Sequence, residues 1–145
     1  MQIHKNIVPH EEIDNILFMI QEFHPEAYNS NSYNENIHEA MQHLRYFPYN
    51  YVDVSGTCID FVLLSSVNGN DDYGGRLWHA DGKDDETTVL LYLQGDPDSG
   101  GEFCTETERH KFEVGTMFVL NACELHMVEP YNNSLSRIAL KWKFK

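Results

Sequence analysis

From Tyr49 to the C-terminus the chain is written in short runs of β-branched and aromatic residues punctuated by Gly, Asn and Asp, a pattern that commits this stretch to strands joined by turns. The clearest run is the last, SRIALKWKFK, in which Ile138, Leu140, Trp142 and Phe144 alternate with Arg137, Ala139, Lys141 and Lys143. Successive side chains of a strand point to opposite faces, so one face of this strand is greasy and the other basic. The expected strands are Tyr51–Val54, Cys58–Ser65, Leu77–Ala80, Thr87–Leu93, Gly101–Cys104, Lys111–Val114, Thr116–Asn121, His126–Val128 and Ser136–Phe144. The polar, Gly-rich segment Val67–Gly75 reads as a long turn or as a loop beside a site.

The N-terminal third follows a different period. Pro9, Glu11 and Glu12 form a helix-start signal, and Ile13, Ile16, Leu17 and Ile20 recur at helical spacing, which predicts a helix over residues 10–23. Tyr28 to Asn36 has a loop composition. A second helix is expected from an Asn36–Glu39 capping box to about Tyr46, burying Ile37, Ala40, Met41 and Leu44. Two helices followed by eight or nine strands predict a mainly β domain, a barrel or double sheet with helices on one outer face. At 145 residues the chain is expected to be a single domain, with bracing helices in 1–48 and the β core in 49–145.

Charge narrows the partners. Acidic residues outnumber basic ones 23 to 10, and a net charge of -13 repels phosphate, which disfavours nucleic acid and anionic membranes. The longest apolar runs, Ile16–Ile20 and Phe61–Leu64, fall far short of the roughly 20 residues that span a bilayer. Cys58, Cys104 and Cys123 are odd in number and scattered, fitting neither a disulfide framework nor a zinc ribbon, so a reduced, cytoplasmic setting is expected.

Three residues have the chemistry of metal ligands. His79 and Asp81 stand two apart in LWHADG, a spacing that aims both side chains at one face of a strand. His126, after the apolar strand MFVLN, supplies a third ligand if its strand neighbours theirs; taken alone it reads first as a hydrogen-bonded strand-end histidine. Two imidazoles and a carboxylate on one face of an octahedral ion leave three positions open, as in non-haem iron(II) oxygenases. If the greasy face of the last strand packs on the helices, Arg137 points inward, where a bidentate carboxylate would satisfy it; on an edge strand it would be a surface arginine. Tyr92 in VLLYLQG alternates with Leu91 and Leu93 and would bring its phenol into the same interior.

WHADG, TTVLLYLQG, SGGEF, GTMFVLNACELHMVEP and SRIALKWKF occur in the order and at roughly the intervals seen in prolyl-4-hydroxylase-like iron(II)- and 2-oxoglutarate-dependent dioxygenases. Residues from about 50 to 145 resemble that family. The resemblance implies a double-stranded β-helix, a jelly-roll, cupin-like barrel whose larger sheet is braced by N-terminal helices. It implies that His79, Asp81 and His126 bind Fe(II), that Arg137 and Tyr92 hold the distal carboxylate of 2-oxoglutarate, and that O2 is the co-reactant, with ascorbate as a stimulant. The implied reaction is hydroxylation of a C–H bond, of a peptidyl prolyl residue or a small molecule, with release of succinate and CO2. Related halogenating enzymes lack the carboxylate that Asp81 supplies, which favours hydroxylation. Arg76 and Trp78 flank the metal strand as expected rim residues for a peptide, protein or small-molecule substrate.

The chain also departs from the family. Ser65 and Ser66 stand in FVLLSSVNG where a tyrosine is common, Ala139 where many relatives carry a hydroxyl, and Lys141 where a small polar residue is usual. Lys141 is either a second carboxylate anchor or, as expected here, a side chain reaching out of the barrel mouth into solvent. Cys123 is expected as a small buried residue, and the acidic run after Asp81 as a solvated loop. These departures, with the small size of the chain, keep a second class in view: a non-catalytic cupin-like module that binds a metal or ligand without turnover.

Overall fold

The computed structural model describes residues 1–67, 77–131 and 135–145. Arg76 and nearly all of the segment Val67–Gly75 lie outside the described residues. Among the described residues, nine strands form two antiparallel sheets. They are β1 Gln2–His4, β2 Ser32–Asn34, β3 Cys58–Ser66, β4 Thr87–Gln94, β5 Phe103–Thr105, β6 Arg109–His110, β7 Met117–Asn121, β8 His126–Val128 and β9 Arg137–Phe144. The larger sheet has the order β1-β7-β4-β9-β3-β2 and the smaller one β6-β5-β8.

The alternating strand β9 lies between β3 and β4, with Leu140 opposite both Leu63 and Leu91. Its greasy face, with Phe61, Leu63, Val89 and Leu91, packs on Ile13, Ile16 and Ile20 of α1 (His10–Phe23) and on Met41 and Leu44. Trp142 is fully buried there, stacked on Phe61 with ring centroids 5.5 Å apart, and donates its indole N–H to the Leu44 carbonyl at 2.9 Å. That bond satisfies the one polar group that burying an indole would strand. The opposite face carries Leu90, Tyr92, Phe118, Leu120 and Ala139, which meet Phe103 and Phe112 in a second apolar cluster. Helices therefore cover one face of the large sheet and the small sheet covers the other.

Helix α1 has the bounds that its apolar spacing predicts. The expected second helix is instead a 3₁₀ segment, Glu39–Asn50, opened by His38, whose side chain accepts from the Ala40 amide, and not by Asn36. Met41 and Leu44 are buried with Phe47 half-buried, a threefold spacing that suits three residues per turn, and Ala40 faces solvent. Tyr51–Val54 and Lys111–Val114 are not strands; Arg109–His110 pairs with β5 in place of the latter. Leu77–Ala80 contributes only a single bridge, His79 to His126. Two short edge strands went unforeseen. β1 covers β7, and β2, inside a segment of loop composition, pairs with β3 through Tyr33 opposite Leu64. No described helix is long and apolar enough to cross a membrane.

Candidate metal centre

Two backbone features bring the His79, Asp81 and His126 side chains together. His79 and His126 exchange both of their N–H···O bonds, each at 3.0 Å, and the Asp81 amide donates to the Ala122 carbonyl at 2.8 Å. Together these bonds align LWHADG with the start of β8, so one ligand atom from each of the three residues lies within 4.8 Å of the others. His126 Nε2 is 3.1 Å from Asp81 Oδ2, and His79 Nε2 is 3.8 Å from Asp81 Oδ1.

The outer nitrogens of both imidazoles are engaged. His79 Nδ1–H donates to the Leu77 carbonyl at 2.6 Å and His126 Nδ1–H to the Glu124 carbonyl at 2.9 Å. Each bond selects the tautomer whose Nε2 lone pair points to the shared centre, the orientation a metal ligand needs. The Phe103 ring stacks on His126, with ring centroids 5.4 Å apart, and limits its rotation.

Asp81 is nearly enclosed. Burial on its own would raise its pKa, but the adjoining His126 ring and the ammonium of Lys141 prevail and hold it well below the usual carboxylate range. Lys141 Nζ lies 3.2 Å from Asp81 Oδ1. The expectation that Lys141 extends into solvent is thus corrected: from the inner face, opposite Val62 and Leu90, its side chain turns to Asp81 and is only 17% exposed. Lys143 donates to the Asp81 carbonyl at 3.0 Å and pairs with Glu86 at 3.6 Å. Glu86 is therefore buried, although the acidic run containing it reads as solvated. Cys123, expected to be buried, is exposed, with its thiol directed to Asp84.

The three residues line a cavity of about 1270 Å³ together with Tyr33, Thr88 and Lys141. Beyond Leu64, Leu90 and Val128, which it shares, a smaller cavity of about 60 Å³ is lined by Tyr92 and Arg137. Arg137 is buried, as an inward-facing position requires. It donates to the carbonyls of Gly101 at 2.9 Å and Gly100 at 3.0 Å, and lies over the rings of Tyr131 and Phe112. No carboxylate pairs with it among the described residues, and burial lowers its pKa. Arg137 Nε and Tyr92 Oη are both buried without a partner. Burial raises the Tyr92 pKa, so its phenol remains a hydrogen-bond donor at neutral pH. A desolvated cation with one orphaned N–H of its own, beside the orphaned Tyr92 hydroxyl, is the environment that an acidic ligand group would complete.

Of the expected rim residues, Trp78 is half exposed, and its neighbour Leu77 is the one that lines the cavity. The roles of Gly100, Gly101, Phe112 and Tyr131 in seating Arg137 were not read from the sequence. The glycine pair in SGGEF was visible, and at Gly101, with φ of +67°, a Cβ would fall 2.7 Å from Arg137 Nη1.

No family profile and no curated protein sequence matches the chain. Solved structures do. The collagen prolyl hydroxylase vCPH of Paramecium bursaria Chlorella virus-1, in its 2-oxoglutarate complex, aligns with a TM-score of 0.65 at 16% identity, over 99% of this chain and 94% of that one. HygX of Streptomyces hygroscopicus with nickel and 2-oxoglutarate aligns at 0.70 and 8% identity, over 98% and 81%. NgTET1 bound to 5mC DNA aligns at 0.70 and 16% identity, over 96% and 69%. The chain has the double-stranded β-helix fold. In this fold the described site lies between the two sheets, at the end of the barrel where β8 begins.

Proposed function

We propose that the protein is an Fe(II)- and 2-oxoglutarate-dependent oxygenase that hydroxylates a C–H bond. The observation that carries this reading is a pair of adjoining cavities that share Leu64, Leu90 and Val128, one lined by His79, Asp81 and His126 and the other by the unpartnered donors of Tyr92 and Arg137. His79, Asp81 and His126 would hold Fe(II), and Arg137 with Tyr92 would bind the distal carboxylate of 2-oxoglutarate. When bound, the metal would supply the oxygen chemistry, in which 2-oxoglutarate, O2 and a C–H bond become succinate, CO2 and a C–OH group.

The chain's own part is positional. The Leu77 and Glu124 carbonyls keep both histidine Nε2 lone pairs directed inward. Gly100 and Gly101 keep the guanidinium fork in place, and Leu64, Leu90 and Val128 form an apolar sleeve that limits water between the two ends. The larger cavity has room beyond 2-oxoglutarate for a substrate segment. We assign that substrate to a peptidyl prolyl residue, a choice supported by the motif resemblance and by the alignment with vCPH. The test is mass spectrometry of prolyl peptides incubated with protein, Fe(II), 2-oxoglutarate and air. The reading expects a peptide that gains one oxygen atom with wild type and none with His79→Ala.

One observation favours a second reading. Asp81 already has a counterion in Lys141, as it would in a binding module that holds no metal. That module would bind a carboxylate ligand through Arg137 and consume no oxygen.

A further inference from the structure

Lys141 is the feature of the site that neither the triad nor the carboxylate anchor accounts for. Its ammonium is 3.2 Å from a carboxylate oxygen of Asp81, its side chain is 17% exposed, and the Tyr33 ring lies 5.2 Å away. The other groups facing Asp81 are His79, His126 and Lys143, the last reaching only its backbone carbonyl. Glu26, Glu35 and Asp60 line the same cavity, but none is paired with Lys141.

We propose that Lys141 couples metal binding to binding of the anionic cosubstrate, by sharing the Asp81 carboxylate with the metal. This inference rests on the metal and 2-oxoglutarate reading above. The coupling is one of charge. A divalent cation beside Asp81 and Lys141 leaves two uncompensated positive charges at this end of the cavity, and like charges at this range repel. A dianionic ligand places one carboxylate at Arg137 and brings the other charge to this end, where it removes one of the two surplus charges. The metal is therefore held weakly alone and tightly with the dianion, and the dianion gains in turn from the metal, because such coupling is reciprocal. Without metal, the same ammonium is the resident counterion of the Asp81 carboxylate.

The experiment is a titration of Mn(II), followed by the resonance signal of the free ion, with and without 2-oxoglutarate. It compares wild type, Lys141→Met, Lys141→Arg and His79→Ala. In wild type, 2-oxoglutarate is expected to tighten Mn(II) binding by on the order of ten-fold or more. Lys141→Met should bind Mn(II) alone more tightly than wild type and lose most of the enhancement, while Lys141→Arg, which keeps the charge, should retain it. An unchanged enhancement in Lys141→Met overturns the inference while leaving the metal site standing. Failure of wild type to bind Mn(II), or equal binding by His79→Ala, overturns the oxygenase reading and this inference with it.

Discussion

The Arg137 guanidinium lies over the Tyr131 ring, 3.7 Å from its centroid, while its two terminal nitrogens donate to Gly100 and Gly101. This arrangement uses the planarity of arginine twice, once for the aromatic face and once for the fork of donors. Lysine offers neither. Arg137→Lys is expected to keep the fold and weaken 2-oxoglutarate by at least ten-fold, measured by calorimetric titration in the presence of Mn(II). Affinity equal to wild type would remove Arg137 from the carboxylate end.

Tyr92 separates binding from stability. Its hydroxyl is buried with no partner, so Tyr92→Phe removes an unsatisfied group and should leave the melting temperature unchanged or raise it. The same substitution should weaken 2-oxoglutarate, since a hydrogen bond to a charged carboxylate contributes about 1.5–3 kcal/mol. Parallel thermal melts and titrations check both halves.

Gly101 is irreplaceable on two counts. Its φ is +67°, and a Cβ there would fall 2.5 Å from the Tyr131 ring and 2.7 Å from Arg137 Nη1. Gly101→Ala is expected to destabilise the protein by about 1–3 kcal/mol and to weaken 2-oxoglutarate by displacing the guanidinium. Denaturant unfolding reads the first effect and titration the second.

Tyr51 ties the 3₁₀ region to α1 through a hydrogen bond to Glu12. Burial, then that hydrogen bond and the carboxylate charge, push its pKa up to about 12. A raised folded-state pKa means stability that is complete below the ordinary tyrosine value near 10 and lost as pH rises from there toward 12. Wild type should therefore be more stable than Tyr51→Phe at neutral pH, and the gap should close across that alkaline window. Melting temperatures of both proteins against pH test this.

Much of the core and the site was legible because strand alternation and helical spacing are short-range signals. Ile13, Ile16 and Ile20 gave α1, and the RIALKWKF alternation placed Arg137 and Lys141 on the inner face. The HxD spacing and the apolar strand before His126 identified three side chains that the fold brings together. Long-range relations left weaker traces. β2 hides in a polar segment because an edge strand needs few apolar residues, and its order comes from pairing with β3. The destination of Lys141 depends on Asp81, 60 residues earlier, and no local pattern encodes that pairing. The 3₁₀ form of Glu39–Asn50 shows only in the threefold spacing of Met41, Leu44 and Phe47, which a helical reading absorbs.

The central claim is tested most directly by measuring oxygen uptake and succinate release together, in wild type and His79→Ala supplied with Fe(II), 2-oxoglutarate and a panel of prolyl peptides. Wild type is expected to consume O2 and form succinate in equal amounts, and His79→Ala to do neither. Equal turnover by the two proteins, or 2-oxoglutarate binding by wild type with no oxygen consumed under any of these conditions, would contradict it.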